Sequence, residues 1–169
     1  MKKLLIVGSI ILLFLSYMKE EKVIIPKESI RFRVIANSDL EEDQQIKRKV
    51  VKNLTPIIKE MNSLKSLEES RNYINNNLPK FTTIVDKTLK EEENTENFTI
   101  NYGKNYFPEK EYKDVIYEEG EYESLIVTLG DGLGKNFWCV LFPPICLADE
   151  ENEKVEYKSF IKEILDKYF

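Results

Sequence analysis

Residues 120–147 read GEYESLIVTLGDGLGKNFWCVLFPPICL and hold the only tryptophan, both cysteines, four of the six glycines and two of the six prolines. The stretch opens as an alternation, with Leu125, Val127 and Leu129 on one side and Tyr122, Ser124, Ile126 and Thr128 on the other. That period of two is a strand with one strongly apolar face. Gly130-Asp131-Gly132-Leu133-Gly134 then reverses the chain, because glycine accepts the positive φ values that a reversal needs. Phe137 to Phe142 follows without a polar residue, with Phe137, Cys139 and Leu141 pointing one way and Trp138, Val140 and Phe142 the other. A strand apolar on both faces is either covered on both sides or part of a contact surface. Pro143-Pro144 ends it, since neither residue can donate to a ladder.

Upstream, Ile30 to Ala36 alternates as well: Ile30, Phe32, Val34 and Ala36 share one face, and Arg31, Arg33 and Ile35 the other. Before it, Ile24 to Pro26 reads as a linker. After it, Asn37-Ser38-Asp39 breaks the strand, and Ser38 with Glu41 makes a capping box for a helix over 39–61. Its stripe is Ile46, Val50, Leu54, Ile57, Ile58 and Met61. Ser66 with Glu69 starts a second helix carrying Leu67, Ile74 and Leu78. Pro79 predicts a break after a frayed Asn75-Asn76-Asn77, and then a third helix to about Lys90 burying Phe81, Ile84, Val85 and Leu89. Phe98 to Tyr102 alternates as a strand, Phe107-Pro108 ends it, and Val115 to Tyr117 predicts a short edge strand. Past an acidic connector at 149–153, Phe160, Ile161, Ile164, Leu165 and Tyr168 fit one face of a closing helix, with room for a strand at 155–157 before it. The order β-α-α-α-β-β-β-α predicts a single α+β domain over 28–169, a largely antiparallel sheet with helices packed on one face.

Hydrophobic residues at 42% and charged residues at 33% describe a globular protein, and a net charge of −5 argues against nucleic acid as the main partner. There is no histidine, which removes Ser-His-Asp and Cys-His nucleophile systems and the usual zinc sites. Neither a metal nor a cofactor is expected, and the chain reads as a non-enzyme. At the N-terminus, Lys2 and Lys3 precede the uncharged run Leu4 to Met18. That run is shorter than the roughly 20 residues of a membrane span and fits the apolar core of a signal peptide. Residues 1–20 are therefore expected to be a signal peptide or, lacking an A-x-A cleavage site, an N-terminal membrane anchor. Export makes a disulfide between Cys139 and Cys146 open to the chain, against the alternative of two buried thiols.

The glycines at 130, 132 and 134 lead into a strand, whereas a phosphate loop leads into a helix, so they read as a turn. Asp131, Glu118, Glu119, Glu121 and Glu123 could supply a carboxylate acid and base, although nothing in the sequence marks two of them as a pair. Arg31 and Arg33 project from one strand face, either as a solvated edge or as a paired guanidinium contact for an acidic partner. Trp138, Phe142, Pro143 and Pro144 are divided in the same way between core and binding surface.

Arg31 to Asp39 (RFRVIANSD), Glu42-Asp43-Gln44, Phe107-Pro108, Gly120-x-Tyr122-x-Ser124-Leu125 and Asn136 to Cys146 (NFWCVLFPPIC) together resemble the stage II sporulation protein R family, SpoIIR. Phe137 departs from it by standing where the family typically has a second tryptophan. The resemblance implies a signalling protein of endospore formers, exported from the forespore into the space between the two sporulation membranes. There such proteins trigger SpoIIGA, a membrane-embedded aspartic protease, to process pro-sigma-E. On this reading the extracytoplasmic part of SpoIIGA is the partner, the membrane is touched only through the N-terminal segment, and the contact residues are Arg31, Arg33, Asn37, Asp39, Asn136, Trp138, Phe142, Pro143 and Pro144. The rival expectation is an exported cell-wall hydrolase working through a carboxylate pair.

Overall fold

The computed structural model describes residues 22–112, 115–146 and 157–169. The expected export segment at 1–20, the acidic connector and the strand residues at 155–156 lie outside them. In chain order the elements are β1 (Val23–Ile24), β2 (Ile30–Ile35), α1 (Glu41–Lys59) with a 3-10 turn (Glu60–Ser63), α2 (Leu67–Glu91), β3 (Phe98–Phe107), β4 (Lys110–Tyr112), β5 (Val115–Tyr117), β6 (Gly120–Leu129), β7 (Asn136–Phe142) and α3 (Tyr157–Tyr168). They make an α+β fold with two mixed sheets.

The larger sheet has the order β3-β6-β2-β7. β3 is antiparallel to β6, β6 runs parallel to β2, and β2 is antiparallel to β7. Alternation along these strands separates two faces. One face carries Phe32 and Val34 of β2 and Leu125, Val127 and Leu129 of β6, and on it lie α1 and α2, which contribute Val50, Leu54, Ile57, Ile74, Phe81 and Val85. This is the main core. Its polar rim includes Glu123, which accepts from Arg71 Nε at 2.9 Å and from the Tyr102 hydroxyl at 2.5 Å.

α2 is one helix through Pro79, so the break expected there does not occur. Proline in a helix interior costs about 3 kcal/mol. Ile74, Phe81, Val85 and Leu89 are all buried on one stripe of that helix, and each such side chain contributes about 1.5–3 kcal/mol. Continuity therefore wins. Ser66 caps the helix as expected, the Glu69 amide donating to Ser66 Oγ at 3.2 Å, while Glu69 Oε2 accepts from the amide one residue earlier, that of Lys65, at 2.8 Å. Ser38 behaves differently: α1 begins at Glu41 with Leu40 as its flanking residue and no side-chain cap. The Ser38 hydroxyl instead accepts from the Leu40 amide and donates to Asp43.

The smaller sheet has the order β1-β5-β4. Val115 to Tyr117 is therefore its central strand and not an edge, and the segment read as a linker supplies β1, with Ile25 fully buried beside it. Val23, Ile25 and Val115 form a second core with Val140, Ile145 and Ile161 of α3. α3 thus belongs to the small sheet, while its Tyr168 ring meets Phe142 at 5.3 Å between centroids.

The turn between β6 and β7 packs on the loop after β2. Gly130 and Gly132 have φ of 53° and 66°, and a Cβ on Gly134 would lie 2.1 Å from the Ser38 carbonyl oxygen. Amides of Asp131, Leu133, Gly134 and Lys135 donate to Asn37 Oδ1, Asn37 O, Ala36 O and Asp39 Oδ1. The glycines make a turn that approaches another backbone closely.

Candidate binding site

The second face of the larger sheet is built around cations and rings. β2 sends Arg31 and Arg33 to this face, β6 sends Tyr122 and Ile126, β3 ends on Phe107, and β7 contributes Trp138 and Val140. The Arg31 guanidinium carbon sits 3.3 Å from the Tyr122 ring centroid and 5.3 Å from that of Phe107. Arg33 lies 5.0 Å from Phe107 and 5.6 Å from Trp138, and Lys110 Nζ approaches Trp138 at 5.2 Å. Arg31 also lies 5.9 Å from the Tyr117 ring, so three cations and four rings form one continuous stack, bound by the attraction of positive charge for the ring faces.

The stack leaves hydrogen-bonding capacity unused. Arg31 is 1% exposed, and its Nη2 donates to the Glu118 carbonyl at 3.2 Å. Its Nε and Nη1, together with Arg33 Nε, Tyr122 Oη and Asn136 Oδ1, are buried without a hydrogen-bond partner. A buried unpaired donor costs about 1–3 kcal/mol, more on a charged group. Burial lowers the pKa of both arginines below the usual value, and for Arg31 the neighbouring Tyr122, Tyr117 and Glu118 oppose that shift. Arginine starts so far above neutrality that both remain cations.

A cleft of about 340 Å³ opens beside this stack, along β7. Its walls are Val51, Thr55 and Ile58 of α1 on one side and Lys110 and Tyr117 of the smaller sheet on the other, with Arg31 and Trp138 facing in. Cys139 and Cys146 also line it and are joined, with Cα atoms 5.1 Å apart.

Of the nine candidate contact residues, Arg31, Arg33, Asn136 and Trp138 come together around the stack and cleft. Asn37 and Asp39 sit in the loop network, where Asn37 Nδ2 donates to Glu96 at 2.5 Å and Asp39 accepts from the Lys135 amide at 2.7 Å. Phe142 is 4% exposed in the main core. Pro143 follows it through a cis bond and is buried, and Pro144 is half-buried. The sequence reading missed Phe107, Tyr117, Tyr122 and Lys110 as members of the cluster. The alternation had placed Tyr122 on the second face of its strand, but only the parallel register of β2 on β6 brings that face beside Arg31. Neither arginine is a solvated edge: Arg31 is buried at the wall of the cleft and Arg33 is half-buried. Glu123 is occupied by Arg71 and Tyr102 on the opposite face. Among the described residues no group of three or more His, Cys, Asp or Glu could hold a metal ion, and no helix is long and apolar enough to cross a membrane.

Residues 26–152 match the family Stage II sporulation protein R (spore_II_R). Stage II sporulation protein R of Bacillus subtilis (strain 168) is 40% identical over 138 residues, 79% of this chain and 60% of that protein. The chain thus spans about 60% of the length of that curated relative. No solved structure matches. With the family match covering β2 through β7, the chain belongs to the stage II sporulation protein R family.

Proposed function

We propose that this chain is an exported signal of sporulation that binds the extracytoplasmic part of SpoIIGA and so turns on processing of pro-sigma-E. Family membership across residues 26–152 is the observation that carries the reading. The second sheet face supports a ligand role, since its stack of cations and rings is suited to holding a partner. In this account the chain changes no covalent bond; binding shifts the protease toward an active, dimeric state because the chain prefers that state over the inactive one. The N-terminal segment directs export from the forespore, either cleaved as a signal peptide or kept as an anchor.

The test is reconstitution in a cell that makes SpoIIGA and pro-sigma-E, with and without this chain directed out of the cytoplasm. Processing that depends on export supports the ligand reading. A folded, exported chain that leaves pro-sigma-E uncut would refute it. Release of cell-wall fragments by the purified chain would favour the hydrolase instead.

A further inference from the structure

β7 is an edge strand of the larger sheet, and its sequence NFWCVLF contains no charge and no proline. Exposed edges are ordinarily blunted by lysine, proline or a bulge that twists them away, because a row of open amides and carbonyls is a template for another strand. Here the bulge and the blunting come only at the far end. The register of β2 on β7 shifts between Ile30 and Arg31. Beside that shift, the Val140 carbonyl accepts from the Ile145 and Cys146 amides at 3.2 Å, so the disulfide-closed turn terminates the edge at Val140. From Asn136 to Cys139 no strand among the described residues pairs with the outer side.

The cleft follows this open stretch, and its two walls differ. On the α1 side it meets Val51, Ile58 and Phe137; on the other it meets Arg31, Lys110 and Trp138. A strand laid along β7 would turn alternate side chains to those two walls. The cleft is lined by two charged residues, Arg31 and Lys110, both cations, in a chain whose net charge is −5. Arg31 brings the second, independent sign of a ligand: it is 1% exposed, faces the cleft, and keeps Nε and Nη1 without a partner. The two lie on different edges of the guanidinium, since Nη2 completes the edge that Nε begins, so a carboxylate in the cleft takes a single charge-assisted hydrogen bond from one of them. Glu118 does not fill this role, because it meets Arg31 through its backbone carbonyl. Asn136 Oδ1, also buried and unpartnered in the cleft, is left to accept one N–H.

We propose that the cleft takes one extended segment of a partner protein as an added strand on β7, with apolar side chains toward α1 and an Asp or Glu carboxylate held by Arg31. The mode is strand addition, in which main-chain hydrogen bonds supply affinity and alternate side-chain pockets supply selectivity. This deepens the ligand reading and rests on it for the source of the strand; peptide binding and pro-sigma-E processing are separate readouts, so failure of either is distinguishable.

The probe is a fluorescent seven-residue peptide of alternating Val and Glu with both termini capped, titrated into the purified full-length chain. Binding is expected, together with slowed amide exchange confined to residues 136–140. Alternating Val and Gln should bind about 10-fold more weakly or worse, and alternating Val and Lys not at all, since charge-assisted hydrogen bonds are the stronger class. Arg31→Gln should remove the preference for Glu over Gln. Lys110→Glu, at an exposed position, keeps the proposal open to refutation if Arg31→Gln fails to fold, and should weaken the Glu peptide by ~3-fold or more. No binding, equal binding of the three peptides, or exchange protection away from β7 would overturn the proposal. So would a stable dimer in sedimentation that the peptide cannot enter, which would assign the edge to a second copy.

Discussion

The two faces of the larger sheet are made by the same strands and solve opposite problems. On the helix side, apolar side chains are sealed by α1 and α2, and Glu123, a carboxylate at the margin, has Arg71 and Tyr102 as partners. On the other side, a guanidinium is buried among rings with two donors unpaired. A buried charge lacking partners lowers stability, and an apolar residue in its place is often neutral or stabilising. The first face accounts for why the chain folds. The second also packs Val140 into the smaller core, but it carries at Arg31 a cost that folding alone does not require, and on the proposed function that cost marks a surface kept for binding.

The contrast breaks most visibly at Phe32, which is fully buried at the centre of the helix-side core. Phe32→Ala should cost about 3–5 kcal/mol, read as a lowered denaturation midpoint with unchanged slope. A loss below about 1 kcal/mol would mean that this face is not the main source of stability.

Reduction of Cys139–Cys146 tests the junction between the faces, because the bridge closes the turn that ends β7. A loop this short contributes about 2–3 kcal/mol in the chain-entropy model. Thermal melts with and without dithiothreitol should differ accordingly. Identical melts, with the bridge verified by mass, would show that the turn is held by its packing alone.

Glu123 gives a smaller effect with a definite sign. Partial burial pushes its pKa up, but Arg71 and Tyr102 outweigh it and hold the carboxyl below its usual value. An acid whose folded pKa is depressed adds stability above its unfolded pKa of about 4.3 and loses it as pH falls through the folded value. Arg71 is 41% exposed, so water screens the pair and Glu123→Gln should cost only about 1 kcal/mol near pH 7. The difference from wild type should vanish at the acid end. A difference that grew on acidification would reverse the assignment.

Much of the helix-side face was legible in the sequence, because period two in β2 and β6 and helical spacing in α1 each report which residues are buried. The turn at Gly130 was legible for the same local reason. Pro79 misled, since a local rule about proline was outweighed by the burial of Ile74, Phe81 and Val85. Of the smaller sheet only Val115 to Tyr117 was legible as a strand: the others are two or three residues long, and Val23 pairs with Val115, a contact that no short-range pattern encodes. The proposed binding face was half legible. Arg31 and Arg33 were visible as a pair, but the rings that bury Arg31 come from β3 and β6, and that neighbourhood exists only once β6 has docked parallel on β2. Sequence alternation tells which face a side chain takes, and the register between distant strands tells what it meets there.

The smallest expected change in stability carries the largest expected change in function, and Arg31→Met separates the two. Methionine keeps the length and the apolar contact with Tyr122 and Phe107 while removing the unpaired donors. The decisive measurement is the melting temperature of Arg31→Met alongside its ability to drive pro-sigma-E processing from outside the cytoplasm. The account predicts a melting temperature at or above wild type and lost or strongly reduced processing. A strongly destabilised variant, or a stable one that signals normally, would show that the buried guanidinium serves the fold and not the partner.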